Sequence, residues 1–360
     1  MPRHYLDHAS TSPARPEVID AMLPWLSAAD PGRVHTEGRM ARVAIEDARE
    51  KVAALFGARP REVVFTSGAT EAINAAVWGA TERMRGGVVV MADVEHSAVR
   101  EASERLAPIT TIAVDRLGRV DADAIPVGNG VALVHCQWGN HEVGTLQPVA
   151  RVVERCREAG VLVHVDAAQA AGRVPVSFGD ADLMSVSAHK FGGPKGVGAL
   201  LVRRGLRLDP FILGGEQERA RRGGLENVPA IVGFGAAATL PLEVGRHRAL
   251  TEQAARAALA IPGVTRYGDP DERLPHIACL GVEGVEAEAV LLGLDQAGIA
   301  AHSGSACSSE SLEPSPVLQA MGVDAERSLR VSTGWSTTEE DVDALADALP
   351  RVIERLRALR

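Results

Sequence analysis

The sequence predicts an α/β fold, with a large domain on a mostly parallel sheet covered on both faces and a smaller α+β domain after it. Three observations carry this. Apolar runs of strand length alternate with helical stretches through the first two thirds of the chain. The runs are apolar throughout, as strands buried on both faces are. From about Leu225 the texture changes to longer Ala-rich helical stretches with shorter strands between them. A chain of 360 residues is also long for one core, so two domains are expected, 14–250 and 251–360, the second joined by 1–13.

In order, Tyr5 to Pro13 is a short leading segment. Pro16–Ser27 and Thr36–Phe56 carry helical spacing of apolar residues. Strands are expected at Glu62–Thr66, Val88–Ala92, Ile109–Val114, Val131–His135, Val161–Val165, Leu183–Val186 and Val197–Val202. Helices fill Ala69–Glu82, Ala98–Leu106 and Val149–Ala159. Beyond Leu225 one long Ala-rich helical stretch is expected through Ala260. Strands Ile277–Val282 and Leu329–Ser332 then alternate with helices Glu286–Ala297 and Glu339–Leu359.

Composition narrows the function. The net charge of 38 − 47 = −9 argues against nucleic acid or an anionic membrane as partner. No stretch approaches the roughly 20 unbroken apolar residues of a membrane span. The N-terminal Met1-Pro2-Arg3-His4 lacks the layout of a signal peptide, so a cytoplasmic protein is expected. The four cysteines, at 136, 156, 279 and 307, show no C-x-x-C spacing, which removes zinc ribbons, disulfide scaffolds and thioredoxin-type pairs and leaves no metal site to expect. Lysine occurs only at 51, 190 and 195, and arginine forms no imine at neutral pH. Amine chemistry therefore falls to one of three side chains or the N-terminus. Nicotinamide and P-loop motifs are absent from the strand-to-helix turns.

In open α/β sheets ligands sit beyond the carboxyl ends of the strands, and here those ends carry unusual polar residues. Val161–Val165 leads to Asp166 and Gln169, and Leu183–Val186 to Ser187, His189, Lys190 and a Gly-Gly-Pro turn with Lys195. The run ending at Thr66 continues through Gly68, Ala69 and Thr70 into a helix, a place where free amides favour an anion. Val88–Ala92 leads to His96. Each residue alone has a plainer reading: Asp166 as a helix cap, Thr70 and Ser187 as turn caps, Lys190 as a solvated charge.

Together the segments resemble the pyridoxal-phosphate-dependent cysteine desulfurases of the NifS/IscS type, within the class V aminotransferases. They are 5–11 (YLDHAST), 65–74 (FTSGATEAIN), 95–99 (EHSAV), 165–169 (VDAAQ), 187–200 (SAHKFGGPKGVGAL), 214–219 (GGEQER), 302–315 (HSGSACSSESLEPS) and 328–334 (SLRVSTG), in the family's order. The resemblance implies a fold type I pyridoxal-phosphate enzyme, a homodimer, acting on L-cysteine and handing sulfur to an acceptor protein. It implies Lys190 as the Schiff-base residue, Asp166 as partner of the pyridine nitrogen and Gln169 as donor to the phenolate oxygen. His96 would stack on the ring and relay protons. Ala69 and Thr70 with their amides, Ser187 and His189 would cradle the phosphate. Asn140 and His141 would face cofactor and substrate, and Arg330 would clamp the substrate carboxylate, a two-toothed geometry that arginine provides. Arg330 could also be an edge-strand charge. Cys307, in a segment of small residues without apolar neighbours, would be the thiolate that takes the sulfur. The other three cysteines read as core residues.

Two positions depart from the family. Asn140-His141-Glu142 stands where Asn-Asn-Glu is usual, and His141 is bulkier and titratable. Leu225 replaces a threonine that reaches the phosphate in the neighbouring subunit. The chain also ends soon after its last helix, which points to an acceptor other than a cluster scaffold. His141 keeps alive a related lyase or aminotransferase acting on another amino acid such as selenocysteine, and a catalytically silent binding protein is the reading from another class.

Overall fold

The computed structural model describes residues 3–303 and 314–359. In chain order its strands are β1 (His4–Tyr5), β2 (Val63–Thr66), β3 (Val88–Ala92), β4 (Ile109–Ile112), β5 (Val131–Gln137), β6 (Val163–Asp166), β7 (Leu183–Ser187), β8 (Gly198–Val202), β9 (Val264–Tyr267), β10 (Ile277–Val282), β11 (Ile299–Ala300) and β12 (Ser328–Ser332). The helices are α1 (Pro16–Met22), α2 (Thr36–Leu55), α3 (Ala69–Arg83), α4 (Ser97–Leu106), α5 (Val149–Ala159), α6 (Gln217–Ala220), α7 (Val228–Ala238), α8 (Val244–Leu259), α9 (Ala287–Gln296), α10 (Pro316–Ala320) and α11 (Glu339–Arg357).

Seven strands form one sheet in the order β2-β8-β7-β6-β5-β3-β4, parallel except for β8, which runs against both β7 and β2. Its two faces are buried under different helices. Ile73, Ala76 and Val77 of α3 and Val99 of α4 pack on Val89, Leu133 and Leu183. On the other face α5, α2 and α7 cover Val134, Val165 and Val186. Both faces being dry explains why these strands read as unbroken apolar runs. A further core gathers Leu6 with Leu250, Leu280, Leu294, Leu329, Leu345 and Ile353, around the three-stranded sheet β12-β10-β9.

The structure corrects several expectations. The stretch through Ala260 is two helices, α7 and α8, parted at Thr239–Glu243, where Pro241 cannot continue the first. The strands β9 and β11 were not anticipated; at four and two residues they are too short to show a period. The leading segment is not merely a lead. Tyr5 pairs in parallel with Ala300, and Ser332 donates its amide to the Leu6 carbonyl.

The short element α6 is not a regular right-handed helix but a turn held against its backbone preference. Glu218, Arg219 and Ala220 take left-handed φ of 47°, 60° and 59°, each at a cost of order 1–2 kcal/mol for a residue with a Cβ. What offsets it is a buried carboxylate. Both oxygens of Glu218 accept from Arg49 at 2.7 Å, and one also accepts the Phe65 amide at 2.9 Å.

Candidate active site

The strand order reverses between β3 and β5: β4 follows outward on one side, and β6, β7 and β8 build out on the other. A cavity of about 490 Å³ opens at the carboxyl ends there, as the topology of open sheets requires. It brings together Ala69, Thr70, His96, His141, Asp166, Gln169, Ser187, His189 and Lys190. Those residues come from five separate strand-to-loop junctions, so only the fold assembles them.

One end is built for an anion. β2 runs through Ser67 and Gly68 into α3, whose first amides have no partner within the helix. A Cβ placed on Gly68 would meet nothing within 4 Å, so open space lies over this helix start. The Gly68 turn packs close on β8 because Gly198 is bare: a Cβ there would stand 2.5 Å from the Val186 carbonyl oxygen and 2.8 Å from Gly68. Glu71 would repel an anion, but it is taken up by its neighbours. It accepts the Ser67 amide at 2.8 Å and pairs with Arg222 at 2.9 Å. Burial raises its pKa, and the bonds from Arg222 and Ser67 outweigh that and lower it. His189 is held neutral, its pKa brought down to about 4 by burial and then by the charges of Lys190 and Lys195.

The middle of the cavity carries the acid. Asp166, at the end of β6, accepts Ser185 Oγ at 2.8 Å and the Ala168 amide at 3.1 Å. No helix follows it, so it caps a turn rather than a helix. Behind it Glu95 is fully buried, with Oε1 accepting the Gln137 amide at 2.7 Å. Burial, and then the charge on Asp166, push its carboxyl up to about 8. Glu95 is therefore protonated at neutral pH.

Lys190 sits on the single 3-10 turn that links β7 to β8. Its Nζ donates to the carbonyls of Ala9 at 2.7 Å and Ser10 at 3.0 Å. Gln169 Nε2 donates to the same Ala9 carbonyl at 3.2 Å, and its buried Oε1 has no partner among the described residues. His96 opens α4 by accepting the Ala98 amide on Nδ1 at 3.1 Å, which assigns the proton of its neutral ring to Nε2. Its ring meets that of His141 edge to face, centroids 5.0 Å apart. Lys195 stands exposed at the cavity mouth.

Two expected residues lie behind the cavity wall. Asn140 shapes the turn: its Oδ1 accepts the amides of Glu142 and Val143 at 2.8 Å, and its Nδ2 donates to the Val94 carbonyl at 3.2 Å. Arg330 is on an edge strand yet only 1% exposed. It donates to the His141 carbonyl at 2.9 Å, to Asp7 at 3.1 Å and to Ser10 Oγ at 2.7 Å. Its backbone pairs with His302, and Ser315 donates its hydroxyl to Glu142. Cys307 falls between 302 and 315 in the sequence, outside the described residues. Cys136, Cys156 and Cys279 are buried free thiols whose pKa values burial pushes up. Sequence reasoning assigned no role to Thr11 and Gln137, which line the cavity, or to Asp7. Asp7 lay within a quoted motif, but nothing local shows that its partner is 323 residues away.

A lysine on a turn, a strand-end carboxylate and a helix start open to an anion, set around one switch point, define a cofactor-dependent transferase architecture. The chain matches the family "Aminotransferase class-V" over residues 4–345 and belongs to it. Within that family it is similar to a cysteine desulfurase of Trichormus azollae, 40% identical over 99% of this chain and 94% of that protein. A solved NifS-like protein superposes with a TM-score of 0.91 at 31% identity, covering 98% of this chain and all 100% of the other. SspA, solved in complex with cysteine, superposes with a TM-score of 0.83 at 31% identity, covering 93% of this chain and 100% of that one.

Proposed function

We propose that this chain is a pyridoxal-phosphate-dependent cysteine desulfurase, which converts L-cysteine to L-alanine and passes the sulfur through a persulfide on Cys307 to an acceptor protein. The observation that carries the reading is that Lys190, Asp166 and the open start of α3 line one cavity. These residues fit the cofactor. Lys190 would hold its aldehyde carbon, Asp166 would keep a proton on its pyridine nitrogen, and Gln169 has an amide hydrogen left for a ring oxygen. The amides of Ala69 and Thr70, with Ser187 and neutral His189, would hold the phosphate. When bound, the cofactor supplies an electron-withdrawing ring that takes up negative charge from the substrate carbon.

The chain's own groups do the rest. His96 Nε2, with its ring fixed by the Ala98 amide, carries protons at the substrate carbon, in turn with the freed Lys190 amine. Arg330 would clamp the substrate carboxylate with its planar fork by exchanging its present partners, the His141 carbonyl and Ser10 Oγ, for the substrate, while Asp7 keeps it ion-paired from behind. The Cys307 thiolate attacks the substrate sulfur; a sulfur–sulfur bond forms as the carbon–sulfur bond breaks, and the carbon fragment gains a proton and leaves as alanine.

The same reading takes the chain as two domains, divided near residue 250, because the core around Leu6 and Leu250 is built apart from the seven-stranded sheet. It takes the protein as a homodimer, on exposed Leu26, Met40 and Val43 beside α1 and on α2. Exposed Leu225 carries no hydroxyl for a neighbour's phosphate. The buried free thiols suit a reducing, cytoplasmic setting, and no helix among the described residues is long and apolar enough to cross a membrane.

Incubation with L-cysteine, wild type against Cys307→Ala, tests the proposal. Wild type should yield alanine in step with sulfide, and the variant should bind the amino acid, shift the cofactor spectrum and form no persulfide. Full turnover by the variant would remove Cys307 from the reaction. His141 favours one comparison beyond this, L-selenocysteine against L-cysteine as substrate.

A further inference from the structure

We propose that Arg173 is a positioning residue for Lys190, gripping the lysine turn from behind the cavity. The inference rests on reading Lys190 as the cofactor's covalent anchor. Arg173 is buried, 2% exposed, and its guanidinium touches two pieces of chain at once. Nε and Nη2 both donate to the carbonyl oxygen of Lys190, at 3.2 Å and 2.6 Å, and Nη2 also donates to Ser12 Oγ at 2.7 Å. Ser12 in turn donates its amide to the His189 carbonyl at 2.9 Å.

The second piece of chain is the one that receives the lysine amine. Three and two residues before Ser12, the carbonyls of Ala9 and Ser10 accept Nζ. Arg173 thus holds Lys190 at both ends, its main chain directly and its amine through the segment that Ser12 fastens. An independent feature presses the same turn. Gly172 has φ +68°, and a Cβ there would lie 2.4 Å from the Phe191 ring, so only glycine lets the 172–173 backbone close on the residue after Lys190.

The surroundings make this an expensive place for a cation. Among the described residues no carboxylate is within ion-pair distance of Arg173. Burial and then the charge of Arg15 bring its pKa down to about 9, while His8 and His247 nearby are kept neutral, at about 3. A buried charge whose partners are a carbonyl and a hydroxyl is costly to keep, and the geometry it imposes on Lys190 accounts for its presence. An arginine fork delivers two donors to one backbone point; a lysine delivers one point charge.

The test uses holoenzyme of wild type, Arg173→Met, Arg173→Lys and Ser12→Ala. It reads borohydride fixation of a pyridoxyl group on Lys190, the pH midpoint of the cofactor absorption band, and kcat and KM for L-cysteine. Arg173→Met should lose roughly tenfold to a hundredfold in kcat, the cost of a misplaced reacting group, with KM nearly unchanged. Its absorption midpoint should move up, because a neighbouring positive charge is gone. Arg173→Lys should keep the midpoint and recover part of kcat, and Ser12→Ala should lose a smaller factor. If wild type itself fixes no pyridoxyl group on Lys190, the reading underneath fails and this proposal with it. If wild type does, and the variants keep wild-type kcat and midpoint or lose only thermal stability, Arg173 is structural and the proposal is overturned. Should Arg173→Met yield no folded protein, Arg173→Lys and Ser12→Ala decide by the same readouts.

Discussion

On the sheet side of the cavity, Asp166, Ser187 and Lys190 stand at the ends of two neighbouring strands, each placed by the turn that follows its own strand. On the facing side, Arg330 reaches Asp7 across 323 residues of chain and the His141 carbonyl across 189. The first wall is local in sequence and needs only β6, β7 and β8 to pair. The second exists only once β1, β11 and β12 have been brought to the large sheet. Groups proposed to hold the cofactor belong mainly to the first wall, and the arginine proposed to hold the substrate carboxylate belongs to the second.

The two walls separate by mutation, beginning with the largest effect. Lys190→Ala should abolish the cofactor absorption band and lower turnover by roughly 10³-fold or more, as loss of a covalent catalytic group does. A variant that kept both would dissolve the sheet-side wall as the catalytic one. Asp7→Asn should act on the other wall. It leaves the buried Arg330 without its carboxylate and should cost about 3 kcal/mol in urea unfolding, while Lys190 still takes the cofactor. Equal loss of cofactor and stability would mean the walls are one unit.

The sheet-side wall also has a foundation that titrates. His135 and His164 lie side by side on β5 and β6 below Gln137 and Asp166, Nδ1 to Nδ1 at 2.8 Å. Burial lowers the His135 pKa from 6.5 to about 3. Below pH 6.5 the unfolded chain therefore takes up protons that the folded chain refuses, and stability falls with pH until the folded value is reached. By linkage one such histidine costs about 2 kcal/mol at pH 5. Urea unfolding at pH 7 and pH 5 should show that drop, and His135→Phe should shrink it; an equal drop in both proteins would clear His135. The smallest effect is expected at the mouth. Lys195 is exposed, and Lys195→Ala should change kcat less than about fivefold, which separates it from Lys190 as the reactive amine.

Legibility followed the same divide. The strands of the large sheet were readable because burial on both faces makes them plainly apolar, and Lys190, Asp166 and the Gly68 turn were readable because each follows its strand at once. Pro241 was as visible as any of these, yet the alanines around it outweighed it. Asp7, Arg173 and the pairing of β1 with β11 left no local trace. A two-residue strand has no period, and an arginine after Ala-Ala-Gly looks like any surface charge until the fold buries it. The raised pKa of Glu95 was likewise hidden, since it comes from burial in the folded sheet and then from Asp166 on another strand.

The threading of β1 has a consequence for how the protein is made. Leu6 has no exposed surface in the finished fold, and its backbone partners are Ala300 and Ser332. A ribosome releases the first residues long before those partners exist, so the opening of the chain must wait, uncovered, through most of synthesis. Closing so long a loop is entropically slow compared with pairing neighbours. The nascent protein should therefore pass through a stage with its large sheet formed and its active site still open on one side, able to become an enzyme only when the last strand has emerged.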